Sequence, residues 1–152
     1  MSTIEATQAA QATQTLSPTS KIVFEVFTLG MTKTQTFTLA ELNITQAMID
    51  GDDFDLGVTI EDDLFNWAYD NVDHRFSLMK PLNEATRNTQ VKFELLIDGK
   101  PSNPKFYELG EIVDTQMPIK NARLKAVVEH LIEDALVNYR NDNVFYEWRL
   151  AS

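Results

Sequence analysis

The amino-acid sequence repeats one plan of strand and helix patterns, and this repeat limits the possible folds more than any other feature. Each copy reads as a hairpin, a helix and a closing strand, over residues 22–78 and 91–150. At an offset of 69, the matched residues are Ile22, Phe24, Glu25, Val26, Gly30 and Phe37 with Val91, Phe93, Glu94, Leu95, Gly99 and Phe106. One inserted residue then aligns Leu39, Glu41, Thr45, Gln46, Ile49, Tyr69 and Asn71 with Leu109, Glu111, Thr115, Gln116, Ile119, Tyr139 and Asn141.

Each copy alone is too small to bury a stable core, so we expect the two to fold together. The sequence predicts a single α+β domain over residues 21–152, built from two hairpin-helix-strand pseudo-repeats. Its core is predicted to be one antiparallel sheet of about 5–6 strands, with two main helices on one face. The capping signal at Thr59 predicts a first helix ending near Phe76, and a second helix follows Pro118 and ends near Arg140.

Residues 1–20 are predicted to form a disordered N-terminal arm. The segment is rich in Thr, Gln, Ala and Ser, and its few apolar residues cannot offset the entropy of ordering the backbone. Two readings stay open: an inert tail, or an arm that orders against a partner or a second subunit.

The overall charge disfavours several classes of partner. The formal net charge of −10 repels phosphate backbones and anionic membranes, which argues against direct nucleic-acid and membrane binding. The chain has no apolar run of about 18 residues that could cross a bilayer. It has no cysteine and no secretory signal, so we expect a cytoplasmic protein without disulfides.

The negative charge is concentrated in the first copy. No Lys or Arg lies between residues 50 and 73, whereas acidic and basic residues balance in the matching segment 120–143. Because the second copy does without this charge, the fold does not require it. We predict that an acidic ridge binds a basic protein partner, the alternative being a solvated face that keeps the chain soluble. The residues of the acidic ridge are Asp50, Asp52, Asp53, Asp55, Asp62, Asp63, Asp70 and Asp73.

Periodicity predicts that most aromatic residues of the first helix and the terminal strand lie in the core; they are Trp67, Tyr69, Phe145, Tyr146 and Trp148. Phe65 and Tyr69 widen the apolar arc of the first helix, so this helix should be deeply packed or should contact something besides its own sheet. The terminal strand carries aromatics on both faces, including Phe145 and Tyr146. It is therefore either a central strand or an edge strand that pairs with a second chain in a homodimer.

No catalytic or metal-binding pattern is present. Phosphate-binding glycine loops and nucleophile elbows are missing, and the paired aspartates lie in an acidic loop rather than a dry pocket. The calcium-like segment 50–61 fails because Phe54 and Asp55 occupy positions that need an oxygen ligand and glycine. His130 and Glu133 lack a third ligand, and His74 is predicted to be a surface histidine near a helix end. We therefore expect no enzymatic activity, no cofactor and no metal.

The leading prediction is a non-enzymatic protein-binding module that captures a basic partner, as an inhibitor, an immunity-like protein or a chaperone would. Three alternatives stay open. The first is a structural or assembly subunit, including a viral one, that uses the N-terminal arm and the terminal strand. The second is a DNA-mimic inhibitor of a nucleic-acid-binding protein, and the third is a small ligand-binding protein or enzyme.

Overall fold

The computed structural model describes residues 15–151, and the chain divides into two compact units. The first unit contains the described residues up to Asn71 together with those from Phe145 onward. The second unit is Val72–Val144. The prediction of a disordered arm lies, for residues 1–14, outside the described residues.

The described residues contain seven strands, four α-helices and one 3-10 helix. The strands are β1 (Lys21–Thr28), β2 (Met31–Thr38), β3 (Asp73–Leu78), β4 (Gln90–Ile97), β5 (Lys100–Pro101), β6 (Lys105–Glu108) and β7 (Phe145–Leu150). The helices are α1 (Gln46–Ile49), α2 (Asp53–Asn71), α3 (Leu109–Ile112) and α4 (Ala122–Asn143), and the 3-10 helix is Ala40–Leu42. The predicted α+β class with antiparallel pairing is confirmed, but the strands form two sheets rather than one.

The first unit is a three-stranded antiparallel sheet in the order β2-β1-β7, with α2 packed on one face. The β1–β2 hairpin turns at Leu29 and Gly30, which both have positive φ (43° and 88°), as a two-residue hairpin turn requires. Phe24 lies at the centre of the sheet, opposite Trp148 on β7. The helix covers this face with four buried residues spaced about one turn apart, Leu56, Ile60, Leu64 and Ala68.

The second unit has β4 at its centre, paired with β3 on one side and with β5 and β6 on the other. Its hairpin turns at Asp98 and Gly99, again with positive φ (53° and 77°). Phe93 on β4 is fully buried and lies opposite Phe76 on β3. The long helix α4 buries Val128, Ile132, Leu136 and Arg140.

The first long helix begins earlier than the capping signal at Thr59 predicts. The Asp52 side chain accepts a hydrogen bond from the Phe54 backbone N–H at 2.7 Å and so satisfies one of the unpaired donors at the helix start. Thr59 lies inside the helix, where its hydroxyl donates to the Asp55 carbonyl at 3.0 Å. The helix therefore includes much of the segment that was predicted to be an acidic loop.

The same helix also ends earlier than predicted, at Asn71 rather than near Phe76. The Asn71 side-chain amide donates to the Trp67 carbonyl at 2.7 Å, which satisfies a carbonyl of the last turn. The chain then continues into β3, so Asp73 and His74 lie on a strand of the second unit and not on a helix.

The last residues of the predicted arm are packed and hydrogen-bonded. Leu16 contacts the core of the first unit. The Pro18 carbonyl accepts from the Ala40 N–H at 2.9 Å, and the Ser20 carbonyl accepts from the Leu39 N–H at 3.0 Å. Residues 16–20 therefore belong to the folded part of the chain.

The two phenylalanines of the second hairpin should differ sharply in their effect on stability. Phe93→Ala should lower the free energy of unfolding by about 3–5 kcal/mol, because it opens a cavity in the core. Phe106 is 44% exposed on β6, so Phe106→Ala should cost less than about 1 kcal/mol. Chemical denaturation followed by circular dichroism checks this, and equal losses in both variants would contradict the observed strand register.

Candidate functional site

The structure distributes the acidic ridge over both units. Asp73 lies on β3 in the second unit, and the other seven residues lie in the first. Asp63 is half-buried, whereas the remaining ridge residues are exposed. We call the exposed ridge residues of the first unit the first-unit acids; they are Asp50, Asp52, Asp53, Asp55, Asp62 and Asp70.

The first-unit acids are not neutralised within residues 15–151. Ion pairs in this part of the chain include those of Arg75 and Lys92 with Glu94, Arg87 with Asp114, Lys125 with Glu129, and His130 with Asp134. None of them includes a residue of the acidic ridge. The first-unit acids therefore face solvent without a compensating side chain among residues 15–151.

Four of these acids have a local structural role near the start of α2. Asp52 caps the helix, and Asp53 and Asp55 lie in its first turn, where the helix dipole stabilises negative charge. Asp50 accepts a hydrogen bond from the Gln46 side-chain amide at 2.9 Å. Their exposure is thus compatible with a purely structural role as well as with binding.

Asp62 and Asp70 have no such local explanation. Asp62 lies in the middle of α2, and Asp70 lies in the last turn, where the helix dipole disfavours negative charge. Neither carboxylate caps the helix or forms an ion pair within the described residues. They are the ridge residues whose charge the fold explains least.

Exposed aromatic side chains lie on the same helix as the first-unit acids, so the prediction that Tyr69 belongs to the core is wrong. Phe65 is 51% exposed and Tyr69 is 52% exposed, and their rings stack at 6.2 Å between centroids. The Tyr146 ring of β7 meets Phe65 edge-on at 6.1 Å. Phe54, at the start of α2, is 75% exposed. The helix thus presents aromatic rings and unneutralised carboxylates together.

Two carboxyl groups on α2 are partly removed from water. Burial raises the pKa of Asp63 and of Glu61, and the charge of Asp62 raises both further. The nearby indole N–H of Trp148 favours the charged form of Glu61 and so lowers the pKa of Glu61. The Trp148 Nε1 nevertheless makes no hydrogen bond of regular geometry. Glu61 Oε1 and Asp63 Oδ2 are likewise buried without a hydrogen-bond partner. Asp63 therefore differs in character from the first-unit acids.

Among residues 15–151, neither histidine belongs to a group of three His, Asp or Glu side chains that could hold one metal ion together. His130 pairs with Asp134 at 3.6 Å and not with Glu133. His74 lies on β3 rather than near a helix end, because the preceding helix ends at Asn71. The side chain is half-buried, and its Nδ1 is buried without a hydrogen-bond partner. The described helices include none with the length and apolar character that a bilayer span needs.

One polar pattern of α2 recurs on α4. The alignment described above, which contains one inserted residue and which we call the single-gap alignment, does not match it. Asp62, Leu64, Asn66, Asp70 and Asn71 recur 72 residues later as Asp134, Leu136, Asn138, Asp142 and Asn143. The leucines are buried, and each terminal asparagine donates to the carbonyl four residues before it, at 2.7 and 2.8 Å. The two Asp and the central Asn are exposed on both helices. Among the first-unit acids, those without an acidic counterpart on α4 are therefore the ones near the start of α2.

Comparisons of the chain with protein-family models, curated proteins and solved structures find no match in any of the three.

The burial of Asp63 has a pH-dependent consequence. Its raised pKa means that the folded state binds more protons than the unfolded state, so its contribution to stability falls as pH rises from about 3.9 through the raised value. Asp63→Asn should therefore stabilise the first unit at pH 7 by about 0.5 kcal/mol, with little effect below pH ~3.5.

Denaturation followed by tryptophan fluorescence measures this effect, because Trp67 and Trp148 both lie in the first unit. Glu133→Gln is the control, since Glu133 is exposed in the middle of α4 and its neutralisation should not stabilise the first unit at either pH. An equal gain for both variants, or a gain that is the same at pH 3 and pH 7, would contradict the interpretation.

Proposed function

We propose that this chain is a non-enzymatic protein-binding module that captures a basic protein partner through its acidic ridge, as an inhibitor, immunity-like protein or chaperone does. The observation that carries the proposal is the set of first-unit acids, which are exposed and form no ion pair within residues 15–151. The cytoplasmic location, and a homodimer formed through β7, stay predictions.

Electrostatics supports an attraction of useful range. Asp62 and Asp70 are eight residues apart on α2, which corresponds to about 12 Å along the helix axis. This separation slightly exceeds the Debye length of about 8–10 Å at moderate salt, so neighbouring charges along α2 reinforce one another mainly at low ionic strength. Their combined field accelerates association with a positively charged surface and makes the rate dependent on salt.

The exposed aromatic rings favour binding over a role in solubility alone. A face that only keeps a protein soluble gains nothing from exposed Phe65 and Tyr69, because exposed aromatic surface promotes association. Protein interfaces, by contrast, commonly combine aromatic anchors with a charged rim. Phe65, Tyr69 and Tyr146 would supply the anchors, and Asp62 and Asp70 the rim.

We also propose that the two units are copies of one plan. The support is a shared register: Phe24 lies opposite Trp148 in the first unit, as Phe93 lies opposite Phe76 in the second. Phe24–Trp67 and Phe93–Tyr139 both have ring centroids 5.7 Å apart.

The residue correspondence differs in places from the single-gap alignment. Phe37 lies opposite Ile22, and Tyr107 lies opposite Val91. By this register Phe37 corresponds to Tyr107 rather than to Phe106. The spacing of the buried helix residues likewise matches Asn71 with Asn143 rather than with Asn141.

The proposed correspondence also compares the acids at the start of α2 with the residues at the start of α4. Asp53 and Asp55 match Lys125 and Val127, whereas the cap itself is kept, because Asp52 caps α2 as Asn121 caps α4. The same structural plan is therefore built without negative charge at these positions, which supports a function for that charge beyond folding.

Charge reversal tests the proposal. Asp55→Lys, Asp62→Lys and Asp70→Lys, made together, should abolish retention of basic host proteins on the immobilised chain, or move their elution to clearly lower salt. The association rate should fall by about 10- to 100-fold at low ionic strength, because electrostatic steering is lost. The measurement is elution in a salt gradient followed by kinetic analysis of the retained protein.

The matched control applies the same change in charge to the second unit. Glu133→Lys, Asp134→Lys and Asp142→Lys alter three exposed acids on α4 and should leave retention largely unchanged. If both triple variants lose retention equally, net charge rather than the ridge is responsible. If neither does, the ridge has no role in capture.

A further inference from the structure

The outer face of the first unit's sheet, opposite α2, contains a groove of about 560 Å³ near the β1–β2 turn. Its walls are the turn residues 28–32 on one side and Glu25, Phe27, Phe145 and Glu147 on the other. These four residues alternate along β1 and β7 with the buried side chains that face α2, so all four lie on the outer face. The groove belongs entirely to the first unit.

The groove places two like charges side by side. Glu25 on β1 lies directly opposite Glu147 on β7, and both side chains are half-buried. Like charges at directly opposed positions destabilise a sheet. Among the described residues neither carboxylate has an ion-pair partner, although Arg149 lies on the same face two residues along β7. The fold alone therefore does not account for this pair.

The second unit has a cation at the same sheet position. Glu94 on β4 lies directly opposite Arg75 on β3, and the Arg75 Nε is 3.0 Å from Glu94 Oε1. This contact lowers the pKa of Glu94. Glu94 follows the buried Phe93 as Glu25 follows the buried Phe24. The pair in the second unit thus shows that a guanidinium fits beside a glutamate at this position of such a sheet.

Aromatic rings line the groove beside the two glutamates. Phe27 and Phe145 stack with ring centroids 5.9 Å apart and an interplanar angle of 26°. Phe145 is 55% exposed, so its ring is accessible to a ligand. Guanidinium groups stack on aromatic faces. Unlike an ammonium group, a guanidinium also binds a carboxylate through two parallel hydrogen bonds.

We propose that this groove binds an arginine side chain of a partner protein, with the guanidinium between Glu25 and Glu147 and its stem against Phe27 and Phe145. The proposal rests on the proposed function, because it requires a basic partner, and it adds a defined anchor on the sheet face opposite α2. The partner's arginine would then pair with the glutamates of the first unit as Arg75 pairs with Glu94 in the second unit.

The direct test uses short peptides and nuclear magnetic resonance. The chain, labelled with ¹⁵N, is titrated with acetyl-Gly-Gly-Arg-Gly-Gly-amide and with the same peptide carrying lysine or the uncharged analogue citrulline. The arginine peptide should shift the amide signals of residues 25–32 and 145–147, with a Kd of about 1 mM. The citrulline peptide should bind at least tenfold more weakly, and the lysine peptide several-fold more weakly.

Glu147→Arg should abolish binding, because it places an arginine opposite Glu25 and fills the groove from within. The affinity of the arginine peptide should fall at least tenfold, and the melting temperature should rise at low salt as the like-charge pair is removed. Glu133→Arg is the control, since it makes the same change in charge at an exposed position of α4. Glu147→Gln, which keeps the shape of the side chain, should weaken binding several-fold and tests the groove even if Glu147→Arg folds poorly.

Two outcomes would overturn the proposal. One is equal affinity for the arginine and citrulline peptides, and the other is unchanged affinity in both Glu147→Arg and Glu147→Gln. The titration is repeated on the variant Asp55→Lys, Asp62→Lys and Asp70→Lys, which should retain the groove shifts. If the chain does not bind the arginine peptide as expected but capture still depends on the acidic ridge, only the proposal of an arginine site in the groove is refuted. If the variant Asp55→Lys, Asp62→Lys and Asp70→Lys captures basic proteins as the unchanged chain does, the proposed function is refuted.

Discussion

The pairing of β7 with β1 is the interaction on which the first unit depends. It joins residues near the two ends of the described chain, with Ile22 opposite Leu150 and Phe24 opposite Trp148. Trp148 and Leu150 are buried in the core beneath α2, so without β7 this core lacks one side. The same pairing brings Tyr146 to Phe65 and Glu147 to Glu25. Both the aromatic surface on α2 and the groove on the opposite face therefore depend on one long-range contact.

Local signals in the sequence predict the local structure well. Alternation of apolar residues predicts β1, β4 and β7, and the Asp98–Gly99 pair predicts the second hairpin turn. The boundaries of α2 are not predicted, because two capping signals compete at its start. Asp52 is the one that pairs with a backbone donor, and the plausible signal at Thr59 lies inside the helix.

Features that depend on strand pairing could not be read from the sequence. The division of the strands into two sheets follows from β7 pairing with β1 while β3 pairs with β4. Glu25 and Glu147 are far apart in the chain, and neither is unusual in its own strand. The acidic ridge is the opposite case, because its composition was visible in the sequence. Its division into capping residues, a half-buried Asp63 and free surface charges required the helix boundaries.

The return of β7 also sets an order in which the two cores become complete during synthesis. The second unit is continuous from Val72 to Val144, so all of its strands leave the ribosome before β7 does. The first unit meanwhile holds Leu56, Ile60 and Leu64 on a helix that lacks Trp148 and Leu150 as packing partners. The nascent segment that waits longest for its final strand is thus also the one that carries the most negative charge, and mutual repulsion between such segments opposes their aggregation.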